Sequence, residues 1–201
     1  TAAEPSRDGL VAPKPSGEGG VAIEAIGLGR DYGGVRALDS LDAVVERGAR
    51  VGLLGPNGAG KTTAMLLLAT LLRPSRGVAH VLGHDLTRER AAIRRQLGLV
   101  FQDASVDGLL TVRENLQFAA GLMGLGGASR RRAVDEALAR TGLAAQASRP
   151  VRQLSGGFRR LTDIARATVH RAQVLLLDEP TTGLDPEHGD RVWGLVVGGR
   201  R

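Results

Sequence analysis

An apolar run, a glycine-rich loop and a Lys-Thr-Thr ending follow one another in the first third of the sequence. The stretch reads Val51-Gly52-Leu53-Leu54-Gly55-Pro56-Asn57-Gly58-Ala59-Gly60-Lys61-Thr62-Thr63. We predict a strand at 50–54 and a helix at 63–72, with the loop between them. Glycines allow such a loop to curl until successive N–H groups point inward, and the start of the helix adds positive potential. The stretch therefore predicts a phosphate-binding loop in an α/β fold.

Lys61 carries the positive charge of this loop. It is one of only two lysines among 27 Lys and Arg residues, the other being Lys14. A compact ammonium fits beside phosphates where the planar guanidinium of arginine does not. We expect Lys61 to reach the β- and γ-phosphates of a nucleotide, and the Thr62 hydroxyl to bind Mg²⁺. The alternative, a tight connection without a ligand, leaves the choice of lysine unexplained.

A second apolar run ends in two carboxylates. Residues 174–177 read Val-Leu-Leu-Leu, which indicates a strand covered on both faces, and Asp178 and Glu179 follow. Such a strand end completes a phosphate-loop site: we expect Asp178 in the Mg²⁺ shell and Glu179 as general base for the attacking water. Without a phosphate loop upstream, two solvated acids would be the simpler interpretation.

The rest of the chain indicates an α/β core with a helical insertion. We expect further strands at 21–26, 43–46, 78–82, 98–101 and 174–178. Between residues 111 and 150 the apolar spacing takes a helical period, in two helices separated at 124–129. Their apolar faces are expected to contain Leu116, Ala119, Ala120 and Met123 in one helix and Val134, Ala137, Leu138 and Thr141 in the other.

Composition narrows the classes of partner. The formal net charge is +6, but the chain has only 3 Phe, 1 Trp and 1 Tyr, too few for a base-stacking surface, so we expect no nucleic-acid partner. The longest apolar run, 64–72, is shorter than the ~20 residues of a membrane span, so a membrane-embedded partner would be a separate chain. Residues 1–20 are rich in Pro, Gly and Ala, and we expect a disordered tail there.

A third motif, Leu154-Ser155-Gly156-Gly157-Phe158, lies upstream of the acidic strand. It resembles the signature of the ABC ATPases, and the order of phosphate loop, signature and acidic strand is typical of that family. The resemblance covers 21–190. It implies a phosphate-loop NTPase core with N-terminal antiparallel strands, forming one ABC ATPase domain at 21–201 with a helical subdomain at about 103–170. ATP and Mg²⁺ are the cofactors that it implies.

The resemblance also assigns roles to residues outside these motifs. Tyr32 would stack on adenine, and Gln102, in Phe101-Gln102-Asp103, would lie at the metal and the attacking water. The alternatives are a core or surface tyrosine and a surface glutamine in a turn. The candidate catalytic residues are Glu179, Lys61 and Gln102, and the candidate metal ligands are Thr62, Gln102 and Asp178.

The signature residues Ser155, Gly156 and Gly157 precede an expected helix at 158–169. Their N–H groups and the helix dipole would form a second anion site. The resemblance implies that this site faces a γ-phosphate held by a second ATPase subunit in a head-to-tail dimer, with Asp185 crossing the same interface.

Two departures from the family pattern stand out. Phe158 stands where the signature often has Gln, and related drug-export ATPases often carry an apolar residue there. The sequence ends at Arg201, before the position where the family has its switch histidine, and we expect a C-terminal part of the domain to be lacking. His188 lies too close to Asp185 to serve as that histidine and is expected to be a solvated helix residue.

Segments 107–116, 163–167 and 180–186 are similar to bacterial drug and antibiotic exporter ATPases. We therefore expect the ATP-binding subunit of an ABC transporter, at the cytoplasmic face of the membrane, which hydrolyses ATP to power export through a separate transmembrane permease. Two alternatives remain: an ATP-binding module with little hydrolysis, and a soluble ABC ATPase acting in DNA repair or translation.

Overall fold

The computed structural model describes residues 20–103 and 105–197, which form two compact units divided between Arg94 and Arg95. Of the tail expected at 1–20, all but Gly20 lies outside the described residues. The domain limits expected from the sequence stay a prediction.

An antiparallel sheet forms the first unit. Its strands are β1 (Val21–Tyr32), β2 (Val35–Glu46), β3 (Arg76–Val81) and β4 (His84–Asp85), in the order β2-β1-β3-β4. Gly33 and Gly34 join β1 to β2 with φ of 52 and 91 degrees, a left-handed backbone that suits a tight hairpin. Ile23, Ala25 and Leu28 are buried and give the sheet its apolar face. The expected N-terminal strands are therefore present and longer than predicted.

The strand expected at 50–54 does not form. Residues 51–54 have no regular secondary structure, and Val51 and Leu54 are 46% and 83% exposed. A strand requires a neighbouring strand for its N–H and C=O groups, and among the described residues the sheet of this unit contains β1 to β4 alone. The prediction from the apolar run is wrong because the run lacks such a neighbour.

Helix α1 (Lys61–Leu68) begins and ends earlier than the expected 63–72. It stops because Thr70 takes a left-handed conformation with φ of 61 degrees, which turns the chain out of the helix. Its inner face buries Ala64 and Leu67, and α1 packs against β2. A short helix, α2 (Arg90–Gln96), contains the point at which the chain passes from the first unit into the second.

The second unit contains two parallel strands, β5 (Leu97–Val100) and β6 (Val174–Leu177). Their connection contains α3 (Val112–Leu122), α4 (Gly127–Thr141) and α5 (Gly156–Thr168), with single 3₁₀ turns at Ala144–Gln146 and Val151–Gln153; α6 (Pro186–Val197) follows β6. The strands and helices expected in this part of the chain are confirmed, within a few residues at each end.

One apolar core supports β5, α3, α4 and α5. Leu116, Val134, Leu143 and Leu161 are fully buried in it. The residues expected on the inner face of α4 are all buried, and those expected on α3 are buried except Met123, which is half-buried. Among the described residues, no helix has the length and apolar character that crossing a membrane requires.

Helix α3 begins with a reciprocal pair of hydrogen bonds between Thr111 and Glu114. The Thr111 hydroxyl accepts from the Glu114 N–H, and the Glu114 carboxylate accepts from the Thr111 N–H at 2.8 Å. The bonds from Thr111 hold the pKa of the Glu114 carboxyl below its ordinary value. This capping box satisfies N–H groups that the first turn leaves without partners.

We expect Thr111→Ala to lower the free energy of unfolding by about 1 kcal/mol, because it removes the cap. Thr111→Ser keeps the hydroxyl and is the control, expected near the parent. The lowered pKa of Glu114 means that its bonds contribute above the ordinary pKa and are lost as pH falls, so the gap between parent and alanine variant should narrow in acid. Urea titrations monitored by circular dichroism, at neutral and at acidic pH, measure the free energy of unfolding of each protein. An equal loss of free energy in Thr111→Ala and Thr111→Ser would contradict the role of the hydroxyl.

Candidate functional site

The predicted phosphate loop lies in the first unit, immediately before α1. Gly58 and Gly60 have φ of 83 and 88 degrees, which favours glycine at both positions. A Cβ at Gly60 would lie 2.5 Å from the Ala37 carbonyl oxygen of β2, so the loop also approaches the sheet too closely for a side chain. The Gly60 carbonyl accepts the first helical bond, from Ala64 N–H at 2.8 Å. The loop is thus fixed at its C-terminal end by α1 and β2.

Lys61 is the first residue of α1, and its side chain returns over the loop. Its Nζ donates to the carbonyl oxygens of Gly55 at 2.8 Å and Pro56 at 2.9 Å. Thr62 is exposed in the same first turn. The ammonium and the helix N-terminus therefore act on the same small region, where both attract an anion.

Tyr32 ends β1 and is 43% exposed. The Arg30 guanidinium lies 4.6 Å from the centroid of its ring, in cation–π contact. Tyr32 pairs with Val35 across the β1–β2 hairpin, and the same hairpin contacts Gly60 through β2. Tyr32 and the predicted phosphate loop thus both adjoin the β1–β2 hairpin.

The acidic residues lie in the second unit, at the end of β6. Asp178 N–H donates to the Val100 carbonyl at 2.9 Å, which extends the parallel ladder by one residue. Glu179 has φ of 42 degrees, a left-handed conformation that is unfavourable for a residue with a Cβ. Its carboxylate is exposed and accepts from the Thr182 hydroxyl at 3.0 Å. Glu179 is thus held in an unusual backbone conformation with its carboxylate oriented.

Gln102 follows β5 and is exposed, next to the end of β6 because the two strands are parallel neighbours. A residue that we did not predict joins the two loops: the buried Arg160 of α5 donates to carbonyl oxygens at Gln102, Asp178 and Glu179. Its only signal in the sequence is its position in the second turn of α5, after the signature.

Helix α5 begins at Gly156, with Ser155 as its N-cap accepting from Phe158 N–H at 3.4 Å. Gly156 is exposed and Gly157 is buried in the first turn. The helix thus starts two residues before the expected position, so both glycines contribute N–H groups to its N-terminus.

His188 is not the solvated residue that the sequence predicted: its side chain is only 14% exposed. Its Nδ1 lies 2.8 Å from an Asp185 carboxylate oxygen, and its ring packs edge-on against Phe158 with 5.1 Å between centroids. The bond to His188 holds the pKa of Asp185 below its ordinary value. The prediction is wrong because α6 packs on the start of α5, a tertiary contact that local pattern does not indicate.

The structure brings the predicted residues together in two groups. Lys61, Thr62 and Tyr32 belong to the first unit, as do the other loop residues 55–60 and Thr63. Gln102, Asp178 and Glu179 lie together in the second unit, where Ser155, Gly156, Gly157 and Asp185 occupy the start of α5 and the approach to α6. In the described part of the chain, no cluster of three or more His, Cys, Asp or Glu is arranged to hold a metal.

Comparison with known proteins places this arrangement in a family. Residues 38–182 match the family described as ABC transporter. Since this match covers most of the sequence, the chain belongs to the ABC transporter family. The fold expected from the resemblance, that of an ABC ATPase domain, is confirmed by solved structures.

Three relatives illustrate the relationship. The daunorubicin resistance ATP-binding protein DrrA3 of Streptomyces coeruleorubidus is 48% identical over 89% of this chain and 57% of that protein. The structure of cbiO1 from Clostridium perfringens matches 89% of this chain and 73% of that chain with a TM-score of 0.80 and 31% identity. The ATP-binding cassette MJ0796, solved as a dimer, matches 87% of this chain and 81% of that chain with a TM-score of 0.76 and 27% identity. The chain thus spans little more than half the length of the curated relative.

We expect Gly157→Ala to lower the free energy of unfolding by about 1 to 3 kcal/mol, because the new methyl group would overlap the His188 ring. Gly156→Ala is the matched control: it lies in the same helical turn with no atom near its added methyl. Combining Gly157→Ala with His188→Ala should restore part of the loss. Thermal and urea unfolding of the four proteins test this; equal effects of the two glycine substitutions would rule out the contact with His188.

Proposed function

We propose that this chain is the ATP-binding and hydrolysing part of an ABC transporter that exports a drug-like or other small molecule. The observation that carries the proposal is the phosphate loop, in which glycine-dependent backbone turns, the start of α1 and the Lys61 ammonium converge. Membership of the ABC transporter family and similarity to a protein named for daunorubicin resistance support it.

ATP would bind to the first unit by its phosphates and its base. The amides of residues 55–63 and the Lys61 ammonium would hold the phosphates, with Lys61 exchanging the carbonyls of Gly55 and Pro56 for phosphate oxygens. Tyr32 would receive adenine on the ring face that Arg30 does not cover.

The proposed metal ligands have the chemistry that Mg²⁺ requires. Thr62 offers a hydroxyl, Gln102 an amide oxygen and Asp178 a carboxylate, all hard oxygen donors. When bound, Mg²⁺ would supply charge neutralisation for phosphoryl transfer.

Hydrolysis would depend on Glu179 as general base. Its exposed carboxylate, oriented by the Thr182 hydroxyl, would accept a proton from the water that attacks the γ-phosphorus. Lys61 would stabilise the charge on the γ-phosphate oxygens, and Gln102 would orient the water.

The signature supports a shared site in a dimer. Ser155, Gly156 and Gly157 form a helix N-terminus that suits an anion, and we propose that it contacts the γ-phosphate held by a second subunit, head to tail, with Asp185 at the same interface. A relative that was solved as a dimer bound to ADP and Pi supports the presence of a second subunit. The proposed partners are that second ATPase subunit and a transmembrane permease, at the cytoplasmic face of the membrane.

We expect Lys61→Ala to weaken ATP binding by about 10- to 100-fold, since it removes a charged hydrogen-bond donor to the phosphates. Arg88→Ala, which removes an exposed cation from the same unit, is the control and should bind as the parent does. Isothermal titration with a non-hydrolysable ATP analogue provides the measurement. Equal affinity in the Lys61→Ala protein and the parent would refute the phosphate-loop assignment.

We expect Glu179→Gln to keep ATP affinity while turnover falls by about 10² to 10⁴, because the amide keeps the shape but cannot accept the proton. Glu187→Gln makes the same change from carboxylate to amide at an exposed position of α6, and it serves as the control. If sites are shared between subunits, the Glu179→Gln protein should also accumulate as a dimer in ATP, as size-exclusion chromatography would show. If this variant released phosphate from ATP at the rate of the parent, Glu179 would be excluded as the general base.

A further inference from the structure

Arg160 is a buried cation whose side chain contacts the backbone of two loops in the second unit. It is 6% exposed, and its guanidinium makes five hydrogen bonds, all to backbone carbonyl oxygens. Nε donates to Pro180 at 2.9 Å and Nη2 to Asp178 and Glu179 at 3.0 and 3.2 Å. Nη1 donates to Phe101 and, at 3.3 Å, to Gln102.

The number of these bonds equals the number of N–H groups on a guanidinium. Because the group is planar and its donors diverge in fixed directions, its bonds fix the relative positions of the acceptors. Here the acceptors belong to two loops, the one after β5 and the one after β6. Arg160 therefore couples the backbone beneath Gln102 to the backbone of Asp178 and Glu179.

The location explains why several hydrogen-bond donors are needed there. Parallel strands β5 and β6 end side by side, with Val100 opposite Leu177, and beyond this point the chains diverge and their carbonyls lose ladder partners. Buried carbonyls without donors are costly. Arg160 supplies those donors from α5, and its charge faces the fully buried carboxylate of Asp163 at 3.8 Å, which also pairs with Arg166 at 3.0 Å.

A second observation favours a role in geometry and not only in stability. Glu179 holds a left-handed φ, which costs of order 1 to 3 kcal/mol for a residue with a side chain. Such a conformation persists only where surrounding contacts determine it, and Arg160 holds the carbonyl groups on both sides of the Glu179 Cα, those of Asp178 and Glu179.

We infer that Arg160 is a positioning residue for ATP hydrolysis, which holds the Gln102 loop and the Glu179 loop in register. The inference rests on the proposed function, because it gives these loops a catalytic task. It requires that Arg160 affect turnover with little effect on nucleotide affinity, since the phosphate loop and Tyr32 belong to the other unit.

The test compares Arg160→Lys with Arg159→Lys. Lysine keeps the cation opposite Asp163, so the first variant is expected to fold, but its single ammonium cannot bridge both loops. Arg159 is the exposed neighbour on the same helix and provides the matched control. We expect kcat of Arg160→Lys to fall by about 10- to 100-fold with KM within threefold of the parent, because small displacements of catalytic groups cost that much.

Hydrogen exchange of the same proteins provides a readout that does not need activity. The amides of Asp178 and Thr182 donate to Val100 and Glu179, and we expect them to exchange at least about tenfold faster in Arg160→Lys. The amide of Leu143, bonded to Leu138 at the end of α4, should be unchanged. A uniform rise at all three amides would indicate general destabilisation and overturn the positioning role.

Two further results would overturn the inference. Parental exchange at Asp178 and Thr182 would show that Arg160 does not hold the loops, whether or not the protein hydrolyses ATP. Faster exchange with parental kcat would show that the loops need no such support for catalysis. Failure of the proposed function is distinguished from both, because it would appear as absent hydrolysis in the parent and in Arg159→Lys.

Discussion

The parallel pairing of β5 with β6 determines where the acidic residues of the second unit lie. Each residue of Leu97–Val100 has a partner in Val174–Leu177, and the register brings the loops that follow them to one edge. Parallel neighbours need a long crossover, and here α3, α4 and α5 provide it together with the apolar core that supports both strands. Displacing the register by one residue would turn the strand's side chains over and separate Gln102 from Asp178.

Helix α5 joins two parts of the proposed chemistry within little more than one turn. Ser155 caps the end that would receive an anion from a second subunit, and Arg160 holds the strand-end loops from the same helix. Because a helix of this length moves as a rigid body, a shift of α5 displaces both contacts together. A partner that bound at the capped end would therefore act on the backbone around Glu179 without contacting it.

The local pattern of apolar residues was sufficient to predict those helices and strands whose buried side chains follow the period of the element itself. The unbroken apolar run of β6 and the helical spacing of α4 each predicted the element that forms, because burial of those side chains depends on the element's own period. The strand predicted at 50–54 does not form, because an extended segment becomes a strand only when it pairs with a neighbouring strand. The apolar pattern of the sequence does not show whether such a neighbouring strand is present.

Some residues of the candidate site could likewise be proposed from the sequence, and others could not. The predicted phosphate loop and the acidic pair are marked by side-chain type and spacing, so Lys61 and Glu179 could be proposed as site residues from the sequence. Arg160 could not, because its partners are backbone carbonyls, which every residue carries, and only the folded chain brings these five together. The prediction that His188 is solvated was wrong because its burial comes from the packing of α6 on α5, which only the folded chain shows.

The left-handed backbone at Glu179 sets the demands of folding and of chemistry against each other at one position. Glycine is the residue best suited to that φ, so replacing Glu179 by glycine would relieve a cost of order 1 kcal/mol. It would also delete the proposed base. Selection of variants for heat resistance alone would therefore favour loss of the carboxylate at this position, and a thermostabilised library of this protein would need residue 179 held constant.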